Sequence, residues 1–367
     1  MEESKEAKRK MRKSGKDSGK NSPVCSDEEE PNLSKVSILG DENCPVLPED
    51  TEVDYCMIYN ISKIAGLEKC TNLSRLSLRK NCIKKIEGLD NNLQLREIEL
   101  YDNLIPKIEN LTYLTNLKVL DLSFNKIKVI EGLDTLINLK KLFLSSNRIK
   151  EIKGLEKLSN LTMLELGDNK IHDMKNLEKL LSLQQLFLGA NRFKEIRGLE
   201  TLTQLRLLSL QANFIKRIQG IEKLTKLEEL YVSQNELETI EGLSTLTELQ
   251  TLDLAKNKIK CLQGLENNLK LEELWMNDNE IEKAEEIDRI SILKKIKTIY
   301  LEWNPIAKHE DYKKKLLETF SNLEQVDAEL MKNEYKVKFK NDAKMSNMKQ
   351  EIPIEAQKML DKVIKKN

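Results

Sequence analysis

The side chains that could do covalent chemistry are few and scattered in this 367-residue sequence. Its two histidines, His172 and His309, lie in different repeats, and no recognisable motif places a serine or cysteine nucleophile beside either one. The six cysteines have neither paired nor metal-ligand spacing, which favours reduced thiols used for packing. No glycine-rich phosphate loop is present. The sequence therefore predicts a protein that is not an enzyme and that holds no metal or cofactor.

Acidic and aromatic side chains recur instead at a fixed step of 22 residues. They occupy the fifth position of the motif LxxLxLxxN, as Phe143 does in LKKLFLSSN (139–147). We call this set the position-five column; it reads Ser77, Glu99, Asp121, Phe143, Glu165, Phe187, Ser209, Tyr231, Asp253, Trp275 and Tyr300. Five of these eleven residues are aromatic and four are acidic, whereas none is basic. Lysine and arginine make up 61 of the 367 residues, so the exclusion of basic residues indicates a specific surface.

The position-five column has the composition of a protein-binding row. Aromatic rings can stiffen a sheet by stacking, but only Trp275 and Tyr300 are neighbours in the column. Aromatic anchors interleaved with carboxylates are typical of binding hot spots. Glu273 lies two residues before Trp275 and so adds a carboxylate to the same strand face. The lack of basic residues argues against a nucleic-acid phosphate surface and favours a partner with apolar pockets and Lys or Arg.

The motif belongs to an internal repeat that predicts the fold. Its last residue is an asparagine in eleven successive copies, which are Asn81, Asn103, Asn125, Asn147, Asn169, Asn191, Asn213, Asn235, Asn257, Asn279 and Asn304. Each copy supplies a short strand and an irregular return segment, and one copy alone cannot bury enough apolar surface to fold. The asparagine is expected to bond backbone groups at the turn. The prediction is a leucine-rich-repeat solenoid of the α/β repeat class, with a parallel sheet on the concave face and a helical C-terminal cap.

Composition divides the chain into three parts. Residues 1–50 are charged and predicted to form a disordered tail, and residues 331–367 are a basic extension. Residues 51–330 contain about twelve repeats, including a degenerate first one with Tyr59 in place of the asparagine, and a degenerate last one. The cap helix is expected to cover the last core face with Tyr312, Leu316, Leu317, Phe320 and Leu323. No apolar run approaches the roughly 20 residues that span a bilayer, so we expect a soluble intracellular protein.

Several motifs are more specific than the repeat consensus, among them ELYDN (99–103), LDLSFN (120–125), KKLFL (140–144), WMNDN (275–279) and YLEWNP (300–305). Between about residues 53 and 330 they resemble the leucine-rich-repeat regulatory subunits of protein phosphatase 1. In that family the concave face binds the phosphatase catalytic subunit, which implies the same role for Asp121, Phe143, Glu165, Phe187, Asp253, Glu273, Trp275 and Tyr300. The column itself adds Tyr231 to this set.

The resemblance also implies partners and a location. The family is not enzymatic, and it binds the catalytic subunit, together with inhibitor-3, and affects its activity, maturation or localisation in the nucleus and cytoplasm. Neither nucleic acid nor membrane is expected as a partner, and the chain is expected to be monomeric before complex formation. KVKF (336–339) matches a docking motif of other phosphatase-1 regulators, with Lys336, Val337 and Phe339 as its key residues. The alternative is a cytoskeletal or ciliary leucine-rich-repeat adaptor, because such proteins share this repeat.

Overall fold

Each 22-residue repeat forms one short strand and one return segment. The structure is a computed structural model that describes residues 36–56 and 60–331. The chain divides into two units, residues 1–36 and 37–367, and every element given below belongs to the second. The strand covers positions three to five of the repeat, as in β7 (Lys141–Phe143), where Leu142 points into the core and its two neighbours point outward.

A 14-stranded sheet runs through the stacked repeats, and its strands lie side by side in the order of the sequence. Its strands are β2 (Glu52–Asp54), β4 (Arg75–Ser77), β5 (Glu97–Glu99), β6 (Val119–Asp121), β7 (Lys141–Phe143), β8 (Met163–Glu165), β9 (Gln185–Phe187), β10 (Leu207–Ser209), β11 (Glu229–Tyr231), β12 (Thr251–Asp253), β13 (Glu273–Trp275), β14 (Thr298–Tyr300), β15 (Gln325–Val326) and β16 (Glu329–Leu330). All neighbouring pairs are parallel except β15 and β16. The predicted leucine-rich-repeat solenoid with a parallel sheet is confirmed.

The core is a single continuous stack of aliphatic side chains. In the repeat that begins at Leu139 it consists of three leucines from the strand region and four residues from the return segment. They are Leu139, Leu142, Leu144, Ile149, Ile152, Leu155 and Leu158, and all are at most 1% exposed. Each repeat shares this core with the repeats on both sides, which is why stacking stabilises units that could not fold alone.

The repeated asparagines form a ladder that joins consecutive repeats, as the sequence predicts. Asn147 donates from Nδ2 to the carbonyl oxygens of Leu122 (2.9 Å) and Leu144 (3.1 Å). Its Oδ1 accepts the backbone N–H of Ile127 at 3.0 Å. These backbone groups are buried where no strand partner reaches them, so the amide satisfies groups that would otherwise be unpaired.

A glycine at position sixteen of most repeats allows the return segments to stack closely. Gly154 has a left-handed φ of 70°, and a Cβ atom there would lie 2.6 Å from the Ile130 carbonyl oxygen of the preceding repeat. No side chain can occupy that space without moving the backbone, so glycine meets both a conformational and a steric requirement.

Part of the segment that the sequence assigns to the N-terminal tail is packed on the first repeat. β1 (Ser37–Ile38) pairs with β3 (Ile61–Lys63) in a separate two-stranded parallel sheet. Leu39 and Cys44 are completely buried and belong to the continuous core. Residues 37–50 therefore cover the first repeat, because its core face would otherwise be open to water. Tyr59, expected in the asparagine position, lies outside the described residues.

The C-terminal end is closed by helical segments, as predicted. They are α1 (Glu286–Arg289), a 3₁₀ helix (Pro305–Lys308) and α2 (Tyr312–Thr319). Tyr312, Leu316, Phe320 and Leu323 are buried, and Leu317 packs against them while partly exposed. The β15–β16 hairpin, which the repeat pattern does not predict, forms the last edge of the sheet. The KVKF segment, with Lys336, Val337 and Phe339, lies outside the described residues.

Candidate protein-binding face

The position-five column forms one continuous row on the outer side of the main sheet. The strands pair without any shift, so that Asp121 is aligned with Phe143, Phe143 with Glu165, and Glu165 with Phe187. Adjacent parallel strands lie about 4.8 Å apart, which brings each member of the column against its neighbours. The repeat period thus converts a 22-residue spacing in sequence into direct adjacency in space.

Four of the aromatic members are half-buried. Phe143, Phe187, Trp275 and Tyr300 point away from the leucine core but are covered in part by neighbouring side chains. The Phe143 ring lies on the outer face, between Asp121 and Glu165 in the sheet register. Half-buried rings lose little side-chain freedom when a partner covers their remaining surface.

Tyr231 differs from the other aromatic members. Only 8% of it is exposed, and its Oη donates a hydrogen bond to Glu229 Oε2 at 2.5 Å. Burial, followed by the neighbouring Glu229 carboxylate, raises the pKa of Tyr231, so the phenol stays protonated. This residue, which the sequence groups with the partner-binding set, is used mainly within the sheet face itself.

Trp275 and Tyr300 stack on each other at the C-terminal end of the column. Their ring centroids are 4.6 Å apart and the planes are inclined by only 7°. Gln325 Nε2 donates a hydrogen bond to Tyr300 Oη. Glu273 lies on the same strand face as Trp275, two residues earlier in β13. The result is a flat, fixed aromatic platform with a carboxylate beside it.

Two carboxylates of the column are held by the backbone. Asp121 accepts the N–H of Ser123 at 2.9 Å, and Asp253 accepts the N–H of Ala255 at 3.0 Å. Asp253 also accepts a hydrogen bond from Ser233 Oγ at 2.8 Å. Burial is the largest influence on both groups and raises the pKa of Asp121 and of Asp253 above the ordinary aspartate value. The carboxylates are therefore poorly solvated and already oriented. Binding a cationic group of a partner would require little further desolvation of them.

At the N-terminal end, part of the acidic charge of the face is paired within the protein. Arg75 forms ion pairs with Asp54 (3.5 Å), Glu97 (3.7 Å) and Glu99 (3.2 Å). Burial and the nearby Glu99 carboxylate raise the pKa of Glu97. Glu99 is thus paired with Arg75 on one side and aligned with Asp121 on the other, and Arg75 at position three of its repeat is the sequence signal for the ion pairs.

Sequence reasoning missed three aromatic residues at the edge of the sheet. Tyr101 and Phe124 pack against each other with centroids 4.9 Å apart, and the Arg79 guanidinium lies 5.3 Å from the Tyr101 ring centroid. Phe124 and Trp303 precede a ladder asparagine, adopt left-handed φ values of 55° and 64°, and are 45% and 66% exposed. The signal is visible in sequence, because other repeats have Ser, Ala, Gln, Lys or Asp at this eighth position.

The described residues offer no arrangement suited to metal chemistry. Within residues 36–56 and 60–331, no three His, Cys, Asp or Glu side chains cluster in a way that could hold a metal ion. In those same residues, no helix has the length and apolar character needed to cross a membrane. What the geometry provides is a rigid face of aromatic rings and carboxylates.

Comparisons with known proteins identify the repeat. Family models described as leucine-rich repeats match residues 113–129, 137–179 and 223–352. The structure of internalin InlF from Listeria monocytogenes is 25% identical, with a TM-score of 0.64, and the match covers 77% of this chain and 88% of that one. A leucine-rich-repeat protein from Leptospira interrogans is 22% identical, with a TM-score of 0.57 over 72% of this chain and 78% of that one.

A third solved structure has the same fold. The leucine-rich-repeat domain of APL1 is 20% identical, with a TM-score of 0.57, and the match covers 69% of this chain and 68% of that one. A comparison with curated proteins finds no match. The repeat and the fold are those of interaction scaffolds, a class that is typically not enzymatic.

Proposed function

We propose that this chain, which is a leucine-rich-repeat protein, is a non-enzymatic regulatory subunit that binds the catalytic subunit of serine/threonine protein phosphatase 1. The observation that carries the proposal is the row of four half-buried aromatic rings on the outer face of the sheet, with the carboxylates of Asp121, Glu165 and Asp253 in the same row. A surface of this kind suits a partner that presents apolar pockets beside lysine or arginine.

The geometry of the face favours binding without rearrangement. The stacked Trp275 and Tyr300 rings and the backbone-bonded carboxylates of Asp121 and Asp253 are already held in the unbound protein. A preorganised face spends little free energy on ordering side chains, so more of the contact energy remains as affinity. The charges select a basic partner and exclude an acidic one, because like charges brought together at an interface are unfavourable.

The specific choice of phosphatase 1 is supported by the resemblance of the motifs to its regulatory subunit 7 type. Eight residues of the face have the residue type that this family uses for binding, and they lie in one row and its immediate neighbourhood. The proposal includes the family's nuclear and cytoplasmic location and inhibitor-3 as a further partner. The chain would control the activity, maturation or localisation of the catalytic subunit rather than take part in its chemistry.

The test removes two central rings from the face. Phe187→Ala and Trp275→Ala are expected to weaken binding of purified phosphatase-1 catalytic subunit by roughly 30-fold or more each, because a hot-spot ring contributes about 2 kcal/mol. Affinity is measured by titration calorimetry with the full-length chain. The matched control is Tyr113→Ala, since Tyr113 is 65% exposed and lies in a return segment, outside the sheet.

The controls separate a binding effect from a folding effect. Both rings lie outside the leucine core, so the variants should keep the circular dichroism spectrum of the unchanged chain and a cooperative melting transition. Undiminished affinity in both folded variants would contradict the proposed face. Failure of the unchanged chain to bind the catalytic subunit would favour the cytoskeletal or ciliary adaptor instead.

A further inference from the structure

A second charged surface runs along the return segments of four consecutive repeats. We call it the basic ridge; it consists of positions ten and twelve of these repeats, which are Lys126, Lys128, Arg148, Lys150, Lys170, His172, Arg192 and Lys194. Seven of the eight are Lys or Arg, although these types make up only 61 of 367 residues and the chain has no net charge. In the four later repeats the same positions vary, with Phe214 and Lys216, Glu236 and Glu238, Lys258 and Lys260, and Glu280 and Glu282, so no further run of consecutive basic repeats follows.

The backbone positions the ridge residues side by side in consecutive repeats. The residue between the two ridge positions is buried in each repeat, as Ile127, Ile149 and Ile171 are, so positions ten and twelve point outward together. A second ladder of backbone hydrogen bonds joins the repeats at this point. Arg148 N–H donates to the Ile127 carbonyl, and Lys170 N–H to the Ile149 carbonyl, both at 2.8 Å.

In the ridge, two like charges lie at the place where other repeats form an ion pair. Position twelve of one repeat lies beside position ten of the next, as Lys216 with Glu236 (3.9 Å) and Lys260 with Glu280 (3.6 Å) demonstrate. In the ridge the corresponding pair is Lys150 with Lys170. Two like charges in this arrangement are less favourable than the Lys–Glu pairs found at the same place in the other repeats.

The ridge contains a cavity and has a sharp border. A cavity of about 480 Å³ opens where four ridge residues, Lys128, Arg148, Lys150 and Lys170, meet the flanking Val129, Glu151 and Lys153. On one side the ridge is bordered by carboxylates at position thirteen, which pair with bases at position fifteen. These pairs are Glu151 with Lys153 (3.9 Å), Asp173 with Lys175 (2.8 Å) and Glu195 with Arg197 (2.8 Å). On this side the run of cationic side chains therefore ends at position twelve.

We propose that the basic ridge binds an extended acidic segment of a partner polypeptide. Four repeats at the ~4.8 Å strand spacing span about 14 Å between their outer rows, which is the length of four to five extended residues at ~3.3 Å each. A single extended chain fits along the ridge, whereas a duplex lying across it would bring phosphates against the position-thirteen carboxylates. The ridge uses other positions than the sheet face, so the inference does not depend on the proposed phosphatase binding.

The experiment uses the full-length chain and a fluorescent peptide of six glutamates, with a peptide of six glutamines and a single-stranded hexathymidylate as reference probes. The charge-reversal variant K150E/K170E is compared with K157E/K179E, which changes two exposed lysines of the same two repeats outside the ridge. Fluorescence anisotropy should show that the glutamate peptide binds the unchanged chain, that K150E/K170E weakens binding about tenfold or more, and that K157E/K179E changes it less than about twofold.

Each other outcome overturns the proposal. Equal losses in both variants would mean that net charge alone attracts the peptide, and tighter binding of the oligonucleotide would identify a nucleic-acid surface instead. Should the double variant not fold, the single variant K170E replaces it, since it recreates the Lys216–Glu236 arrangement and should melt no lower than the unchanged chain. Undiminished binding of the glutamate peptide to a folded ridge variant would likewise contradict it.

Discussion

Asp121 and Asp253 lie on the outer face with carboxylates that each accept the backbone N–H two residues further along the chain. Burial raises the pKa of both groups, so the free protein already bears part of the cost of removing them from water. A partner that brings an ammonium or guanidinium group to these carboxylates would lower their pKa again. Binding should therefore weaken as the pH falls through the raised pKa values.

The pKa shift of Asp253 predicts a pH-dependent effect on stability. A carboxyl whose pKa is raised on folding contributes stability that is present below its unfolded value of 3.8 and is lost as the pH rises through the folded value. Asp253→Asn cannot ionise and escapes this loss. The free energy of unfolding of the variant, relative to the unchanged chain, should rise between about pH 3 and pH 7. Urea denaturation at several pH values measures the difference in unfolding free energy between the two proteins. A difference that does not change with pH would contradict the raised pKa of Asp253.

At this scale the sequence predicts which residues face outward but not how far each is exposed. The 22-residue period places Phe143 and Tyr231 in the same column, and both are found on the outer side of the sheet. It does not predict that Tyr231 is buried, because that depends on the hydrogen bond to Glu229 and on the side chains of neighbouring strands. Pairwise contacts of this kind are set by the packed structure rather than by the period.

At the scale of the element, each repeat is held to the next by both its core and its asparagine. Nδ2 of Asn147 reaches carbonyl groups in its own and the preceding repeat, and Oδ1 accepts an N–H from the preceding return segment. The amide thus connects a strand end to a return segment across the boundary between two repeats. No apolar side chain of similar size could replace these bonds, because buried backbone groups need polar partners.

Asn147→Ala is expected to cost at least about 3 kcal/mol of unfolding free energy, because several buried backbone groups lose their partner. The matched control is Asn160→Ala, since Asn160 is exposed and makes one hydrogen bond to the Ile137 carbonyl oxygen. That change should cost less than about 1 kcal/mol. Chemical denaturation of both variants measures the two losses of unfolding free energy. Equal losses would show that the asparagine ladder does not stabilise the boundary between repeats more than an exposed asparagine does.

The regular elements are predictable and the irregular ones are not. The strands at positions three to five and the return segments follow from the repeat, because the same buried positions recur in each copy. The pairing of β1 with β3 and the β15–β16 hairpin lie where the repeat ends. No repeated sequence pattern specifies these two elements. They are stabilised by packing on the ends of the core, which would otherwise be exposed.

At the scale of the whole molecule, a chain with equal numbers of basic and acidic residues has two surfaces, among its described residues, on which one sign of charge predominates. The sheet face is acidic and aromatic, and the basic ridge lies on the return segments of some of the same repeats. Although the net charge is zero, the chain therefore has one surface that favours basic partners and one that favours acidic partners. This arrangement suits a scaffold that holds two different partners, or two parts of one, by opposite charge.

The solenoid depends on its ends as well as on its repeats. Leu39 is completely buried against the first repeat, in a segment that composition assigns to the N-terminal tail. Leu39→Ala should cost about 2–5 kcal/mol, because it removes buried methyl groups and leaves a cavity. Leu47→Ala, in the same segment but 54% exposed, should change stability by less than about 0.5 kcal/mol. Thermal and urea unfolding compare the two variants. An unchanged free energy of unfolding in Leu39→Ala would mean that the segment does not stabilise the fold.

The central claim is that the outer face of the sheet contacts the phosphatase-1 catalytic subunit. The chain has only two tryptophans, so full-length protein labelled with 5-fluorotryptophan gives two fluorine resonances, which the variant Trp303→Phe assigns. Unlabelled catalytic subunit is then added to equal concentration. A change in the chemical shift of the Trp275 resonance on complex formation is the result predicted here. A complex that forms, by size-exclusion chromatography, while that resonance keeps its chemical shift would contradict the account.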